Sequence, residues 1–191
     1  MPLNDILSQA HQLVRKAISP GGLAIDATVG NGYDTLALAE TVGAEGHVFG
    51  FDVQPAAIEA TRSRLRSAGV AGRVTCFEAG HEHLDRHVPG DAIGQVDAVM
   101  FNLGYLPGSD KSVITAPETT LRGLAHALQS LRTGGVLTVV KYVGHEGGRS
   151  EAEAVDAWAA SLDASQARVL SYQFINRGSA PPELLAIERS A

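Results

Sequence analysis

The chain has 191 residues, of which 45% are hydrophobic, enough for one well-buried core and short for two. Its net charge of −6 excludes the global basic field that drives non-specific nucleic-acid binding, so any RNA contact must be local or assembled between subunits. The single cysteine, Cys76 in the apolar run Val74–Phe77, excludes an internal disulfide and a cysteine zinc cluster; it reads as a small core residue, and no metal is expected.

The first residues mix Asn4, Asp5, His11, Arg15 and Lys16 with apolar side chains. No signal-peptide pattern or long apolar span is present there, so a cytoplasmic protein without a membrane partner is expected. Leu3, Ile6, Leu7, Ala10, Leu13, Val14 and Ala17 recur at helical spacing, which predicts an amphipathic helix within residues 1–20, ended by Pro20-Gly21-Gly22 and packed beside the first strand. Apolar runs then predict strands near 23–27, 47–52, 73–77, 96–101, 135–141, 168–174 and 184–189, with helices between most of them.

Two later helices carry start signals of the capping-box type, Thr115 with Glu118 and Ser150 with Glu153. Leu121, Leu124, Leu128 and Leu131 line the buried face of one; Val155, Trp158 and Leu162 line that of the other. The loop 175–183 is too short for a helical crossover, so the last two strands must be antiparallel. The expectation is a single α/β domain over residues 1–191: a mostly parallel seven-stranded sheet with an antiparallel last strand, the Rossmann-like architecture of class I SAM-dependent methyltransferases.

Between the first two strands lies a nucleotide-cofactor cradle. Gly30 and Gly32 let the backbone turn tightly, the following helix offers free amide donors, and Asp52 stands where an acid can accept hydrogen bonds from both ribose hydroxyls. A dinucleotide site would want Gly or Ala three positions after Gly32, where the chain has Thr35 preceded by Asp34. The Asp34 carboxylate would repel a pyrophosphate but suits the ammonium and sulfonium of S-adenosyl-L-methionine (SAM), which is therefore the favoured cofactor.

Ligands of an open parallel sheet gather at the carboxyl ends of its strands. Those ends are Thr28–Thr35, Asp52–Gln54, Gly80-His81-Glu82, Asn102–Pro107 and Lys141–His145. The fourth strand delivers an amide, Asn102, to the centre, where it can hold an amine with its lone pair aimed at a methyl donor, while Tyr105 offers a flat surface for a base. An alkylamine is largely protonated at neutral pH, so a group must take its proton; His145 is the first candidate, with Tyr142 to orient it or bond the base. His11, His47, His83, His87 and His126 show no ligand spacing and read as surface or structural.

The strings Asp-Ala-Thr-Val-Gly-Asn-Gly-Tyr-Asp-Thr at 26–35, Gly-His-Glu at 80–82, Asn-Leu-Gly-Tyr-Leu-Pro-Gly-Ser-Asp-Lys at 102–111 and Tyr-Val-Gly-His-Glu-Gly-Gly at 142–148 resemble the bacterial family labelled putative rRNA methylase. Members of that family act as tRNA 5-(aminomethyl)-2-thiouridine methyltransferases at the wobble position. The resemblance implies methyl transfer from SAM to the exocyclic amine of that nucleoside at tRNA position 34, giving the 5-methylaminomethyl product. It further implies that Asn31, Asp34 and Thr35 meet the methionine end, Asp52 and Gln54 the ribose and adenine side, and His81 with Glu82 the adenine. Asn102 would line the transfer site, bordered by Tyr105, Leu106, Pro107, Lys111, Tyr142 and His145. Thr28, Gly30, Gly32, Gly80 and Leu103 complete the expected cofactor cradle, although Gly80 stands where a serine would be more typical.

An rRNA or small-amine methyltransferase would use the same fold; an NAD-linked oxidoreductase and a non-catalytic cofactor-binding module are the alternatives of other classes. For RNA contact, Arg62, Arg64, Arg66 and Arg73 form either a basic strip or an ordinary solvated face, and the loop residues Lys111, Arg149 and Arg177 are preferred. A homodimer would present two such rims.

Overall fold

The computed structural model describes residues 3–104, 114–144, 146–178 and 180–191. They form one seven-stranded sheet in the order β3-β2-β1-β4-β5-β7-β6. Its strands are β1 (Leu23–Asp26), β2 (His47–Asp52), β3 (Val74–Glu78), β4 (Val96–Leu103), β5 (Leu131–Lys141), β6 (Ala167–Tyr172) and β7 (Glu183–Arg189). The first five are mutually parallel, and β7 runs antiparallel between β5 and β6. β4 reads Val-Asp-Ala-Val-Met-Phe-Asn-Leu and is buried at every position except Asn102, as a central strand covered on both faces must be.

Among the described residues six helices flank the sheet: α1 (Ile6–Ala17), α2 (Tyr33–Val42), α3 (Pro55–Ser67), the single turn α4 (Leu84–His87), α5 (Pro117–Ser130) and α6 (Gly148–Ala160). α1 is capped by Asp5, whose carboxylate accepts from the Ser8 amide. It packs across β4, β5 and β7 rather than beside β1, placing Ile6, Ala10 and Val14 against Ala98, Met100, Val140 and Leu184. The opposite face buries Phe51, Phe101, Leu124, Leu137 and Ile187 in a second core.

Three local expectations are corrected. Thr115 does not cap α5: Ala116 holds that position without a side-chain bond, and Pro117 supplies the preorganised first turn. Ser150 lies inside α6, which starts from Gly147 in the left-handed region, φ 79°. Leu131 is not on the α5 face but opens β5, fully buried, so that strand begins four residues earlier than its apolar run announces.

One buried ion pair ties α1 to the sheet. The Asp97 side chain is 4% exposed and meets Arg132 Nε at 2.5 Å, while Arg132 Nη2 donates to the Ala17 carbonyl at the end of α1. Among the described residues no helix is long and apolar enough to cross a membrane. Replacing Arg132 with Met leaves a buried carboxylate without its partner and should lower stability by about 3 kcal/mol; urea unfolding of the variant beside the parent, with an unchanged m-value, is the measurement that checks this.

Candidate active site

The strand order turns back between β1 and β4, whose connections leave in opposite directions, so a crevice opens at their carboxyl ends. A cavity of about 980 Å³ occupies it. The loop after β1 forms its floor with Thr28, Gly30 and Asn31, and the N-terminus of α2 contributes Tyr33 and Asp34. Asp52, Val53 and Gln54 follow from β2, Gly80, His81 and Glu82 from β3, Asn102 and Leu103 from β4, and Tyr142 from β5.

Gly30 and Gly32 both adopt positive φ, 52° and 77°. A Cβ on Gly32 would lie 2.5 Å from Thr61 Oγ1 and 2.9 Å from the Thr61 Cα, so the turn fits against α3 only with glycine there. The Thr61 hydroxyl in turn donates to the Gly30 carbonyl, and Asp52 accepts from the Gly30 and Gln54 amides, each at 2.9 Å. Each Asp52 oxygen keeps a lone pair for a further donor.

Gly32 and Thr35, expected at the cofactor, lie behind the wall of this cavity. Thr35 is fully buried and donates its hydroxyl to Asp26 Oδ2 at 2.6 Å. Asp26, absent from the expected site, is the deepest acid here: fully buried, it also accepts from the Thr28 amide at 3.2 Å. Burial, and then the neighbouring Asp34 charge, push its carboxyl up to about 7.

Asp34 is gripped from two sides. His11 Nε2 on α1 lies 2.6 Å from one oxygen, and the Asn102 side-chain amide donates to the other in a short hydrogen bond. Asn102 is fixed further by its backbone N–H, which donates to Thr28 Oγ1 at 2.7 Å. Its Oδ1 is buried and has no hydrogen-bond partner among the described residues. Tyr142, 37% exposed, keeps its phenolic proton because burial, and then the Asp34 charge, raise its pKa.

His81 lines the cavity as a pillar. Burial lowers its pKa, its ring lies 3.5 Å from Thr120 Oγ1, and it meets Phe101 edge-on at 5.3 Å. Glu82 folds its carboxylate back over Gly80, into the volume that a serine side chain would need. A hidden carboxylate, Glu151 on α6, accepts from Thr120 and Thr115 at 2.6 and 2.7 Å. Thr115 accepts in turn from the Gly104 amide. What reads in sequence as a helix cap is therefore a clamp between β4, α5 and α6.

Tyr105, Leu106, Pro107, Lys111 and His145 lie outside the described residues. The arginines of α3 do not form a free strip: Arg64 donates to the Asn31 carbonyl and covers the Tyr33 ring at 3.6 Å, Arg66 pairs with Glu59, and Arg62 donates to the Cys76 carbonyl. Arg73, on the turn that follows, donates to the Ala39 carbonyl. His11 and Glu151 carry no local sequence signal, since their partners lie 23 and 31 or 36 positions away, whereas Asp26 opens the 26–35 string without its role being readable there. Among the described residues no group of three or more His, Cys, Asp or Glu could hold a metal ion.

The family model described as "Putative rRNA methylase" matches residues 48–188, and the chain belongs to that family. It is 40% identical over 188 residues to a chloroplastic tRNA (mnm(5)s(2)U34)-methyltransferase of Arabidopsis thaliana, covering 94% of this chain and 68% of that one. A putative rRNA-methylase from Clostridium thermocellum superposes with a TM-score of 0.95 at 40% identity, over 99% of this chain and 100% of that one. A putative methyltransferase from Streptococcus mutans in complex with SAH superposes with 0.89 at 34% identity, over 98% and 99%. The fold is that of the SAM-dependent methyltransferases, the protein is an enzyme of that class, and its cofactor is SAM. The cavity fits this cofactor by its size, the free lone pairs of Asp52 and the acid at Asp34.

Ionising Asp26 opposes folding, because its folded pKa of about 7 lies above the ordinary 3.8. Its contribution to stability is greatest below the ordinary carboxylate range and falls as pH rises toward 7, levelling above it. Asp26→Asn preserves the shape and both hydrogen-bonding positions. Thermal melts from pH 4 to pH 8 should show the variant gaining on the parent as pH rises; parallel curves would contradict the assignment.

Proposed function

We propose that this member of the family methylates the exocyclic amine of 5-aminomethyl-2-thiouridine at the tRNA wobble position, working in the cytoplasm. The observation that carries the reading is the Asn102 amide oxygen, buried at the cavity wall without a partner among the described residues. A buried acceptor left unpaired costs about 1–3 kcal/mol, which an N–H donor of the substrate would offset. An amine brings such donors, whereas an ionised oxygen nucleophile would meet the Asn102 acceptor and the Asp34 carboxylate as repulsion.

Size and surface support a base entering beside the cofactor. Binding cavities for small molecules run to roughly 300–1,000 Å³, so about 980 Å³ has room for both ligands. Exposed apolar side chains ring it, Leu7, Tyr33, Val53, Ile114 and Tyr142, the kind of surface on which an unstacked base rests. The Arabidopsis relative acts on tRNA by its name, and the family description speaks of rRNA; the amine-accepting geometry favours the tRNA nucleoside.

SAM supplies an electrophilic methyl group, to which the amine presents its lone pair. This chain's residues do the rest. Asp52 and Gln54 would hold the ribose and adenine side, and Asp34 the cationic end. Asn102 Oδ1 accepts an amine N–H and sets the direction of the lone pair, an alignment that can be worth several kcal/mol. Tyr142 remains a hydroxyl donor rather than a base, since its pKa is raised. The ammonium proton must leave before transfer; Asn102 Oδ1 can accept a hydrogen bond from the nitrogen but not its proton, so His145 stays the sequence candidate for taking it.

Asn102→Ala should lower kcat by about 10²-fold while shifting the calorimetric affinity for SAM much less. Cells lacking the protein should accumulate unmethylated 5-aminomethyl-2-thiouridine at the wobble position, read by mass spectrometry of tRNA hydrolysates. An unchanged nucleoside profile there, with methylation lost from rRNA, would replace the tRNA assignment.

A further inference from the structure

We propose that His11, on the first helix, is a positioning residue for methyl transfer, holding the Asp34 carboxylate and through it the Asn102 amide, and that its charge state tunes how strongly the site attracts its cationic cofactor. This rests on the reading of the cavity as an amine methyltransferase site.

The geometry is a chain of three side chains from three elements. An ionised carboxylate only accepts hydrogen bonds, so Asn102 must turn its NH₂ toward Asp34. Its oxygen is thereby turned away from Asp34 and has no partner among the described residues. The orientation of the Asn102 amide, which decides whether the substrate meets an acceptor or a donor, is thus set by Asp34. His11 Nε2 holds the remaining Asp34 oxygen at 2.6 Å, and the two side chains are only 21% and 18% exposed. Without His11, Asp34 has one anchor in place of two, and the amide loses the fixed partner that orients it.

Charge follows from the same contact. A neutral imidazole donates one N–H and leaves the full negative charge of Asp34 to face a cation; an imidazolium pairs with that charge and cancels part of it. Protonation of His11 and binding of the cationic cofactor therefore oppose one another, and the coupling is reciprocal. Other charged groups surround this pair, among them Asp52, which accepts two backbone amides. Asp26 at the end of β1 feels the Asp34 charge and titrates near 7, and Tyr142 after β5 feels it but keeps its proton. Lys141, at the junction of β5 and β7, is held by Asp156 and Glu183. From β4, Asn102 is neutral, and Asp97 is paired with Arg132. Arg15 and Lys16 lie in the last turn of α1 itself.

The test is calorimetric titration with SAM from about pH 5.5 to 8.5 on the parent, His11→Gln, His11→Leu and Asp26→Asn. Gln keeps an N–H donor that does not titrate; Leu keeps bulk without a donor. The parent should lose affinity toward low pH roughly three- to tenfold more than His11→Gln, and Asp26→Asn reports how much of the remaining slope belongs to Asp26. In turnover, His11→Leu should lower kcat at least about tenfold, and His11→Gln should restore most of it. Superimposable pH curves for the parent and His11→Gln, or an unchanged kcat in His11→Leu, would overturn the proposal. A His11-dependent pH curve in an enzyme that fails to methylate the wobble amine would sustain it and overturn the substrate assignment instead.

Discussion

Everything at this site depends on keeping several carboxylates close together. Asp26 at the tip of β1, Asp34 at the start of α2 and Asp52 at the end of β2 converge because the sheet reverses its strand order there. Like charges in a half-buried crevice repel, and the fold meets that repulsion differently at each acid. Asp52 accepts two backbone amides. Asp34 is held by an imidazole and an amide. Asp26, with hydrogen bonds from Thr35 and Thr28, has its carboxyl pushed up to about 7. The outcome is a pocket whose negative field faces inward, matched to a ligand that carries positive charge at its amino-acid end and at its sulfur.

The architecture and the glycine cradle were legible in the sequence because their causes are local. Two glycines at positive φ, an acid at the end of the next strand and an uninterrupted apolar run through β4 are each written within a few residues. The antiparallel finish was equally legible, because the short link before β7 leaves no room for a crossover. His11 was not: nothing near position 11 points to position 34, and the pairing exists only once α1 lies across β4 and β5. A lone histidine in an amphipathic helix is ordinarily read as solvated or structural, and here the partner that changes its meaning is supplied by tertiary structure.

Misread capping signals show the same limit from the other side. Thr115 and Glu118 have the spacing of a capping box, yet Thr115 turns to Glu151, on a helix that starts more than thirty residues later. A buried carboxylate that accepts two hydroxyls in a low-dielectric setting outcompetes an exposed cap worth about 1 kcal/mol. With Pro117 already setting the first turn of α5, the helix needs little else to start. Local preference was overridden where a longer-range bond satisfied a buried charge, and that bond ties α6 to Thr115, which lines the cavity.

The identity of residue 102 follows from the same electrostatics. A carboxylate at the tip of β4 would accept an amine N–H as well as an amide does. It would also place a further negative charge against Asp34 and close to Asp26, whose carboxyl burial already pushes up to about 7. One of the group would then hold a proton at neutral pH, and the hydrogen bond that Asn102 donates to Asp34 would be lost. An amide offers an acceptor to the substrate and a donor to Asp34 in one side chain, with no charge added. The asymmetry of Asn102, one end bonded and the other without a partner among the described residues, is what would let a crowded acidic crevice hold a cationic cofactor and, in the proposed reaction, aim an amine.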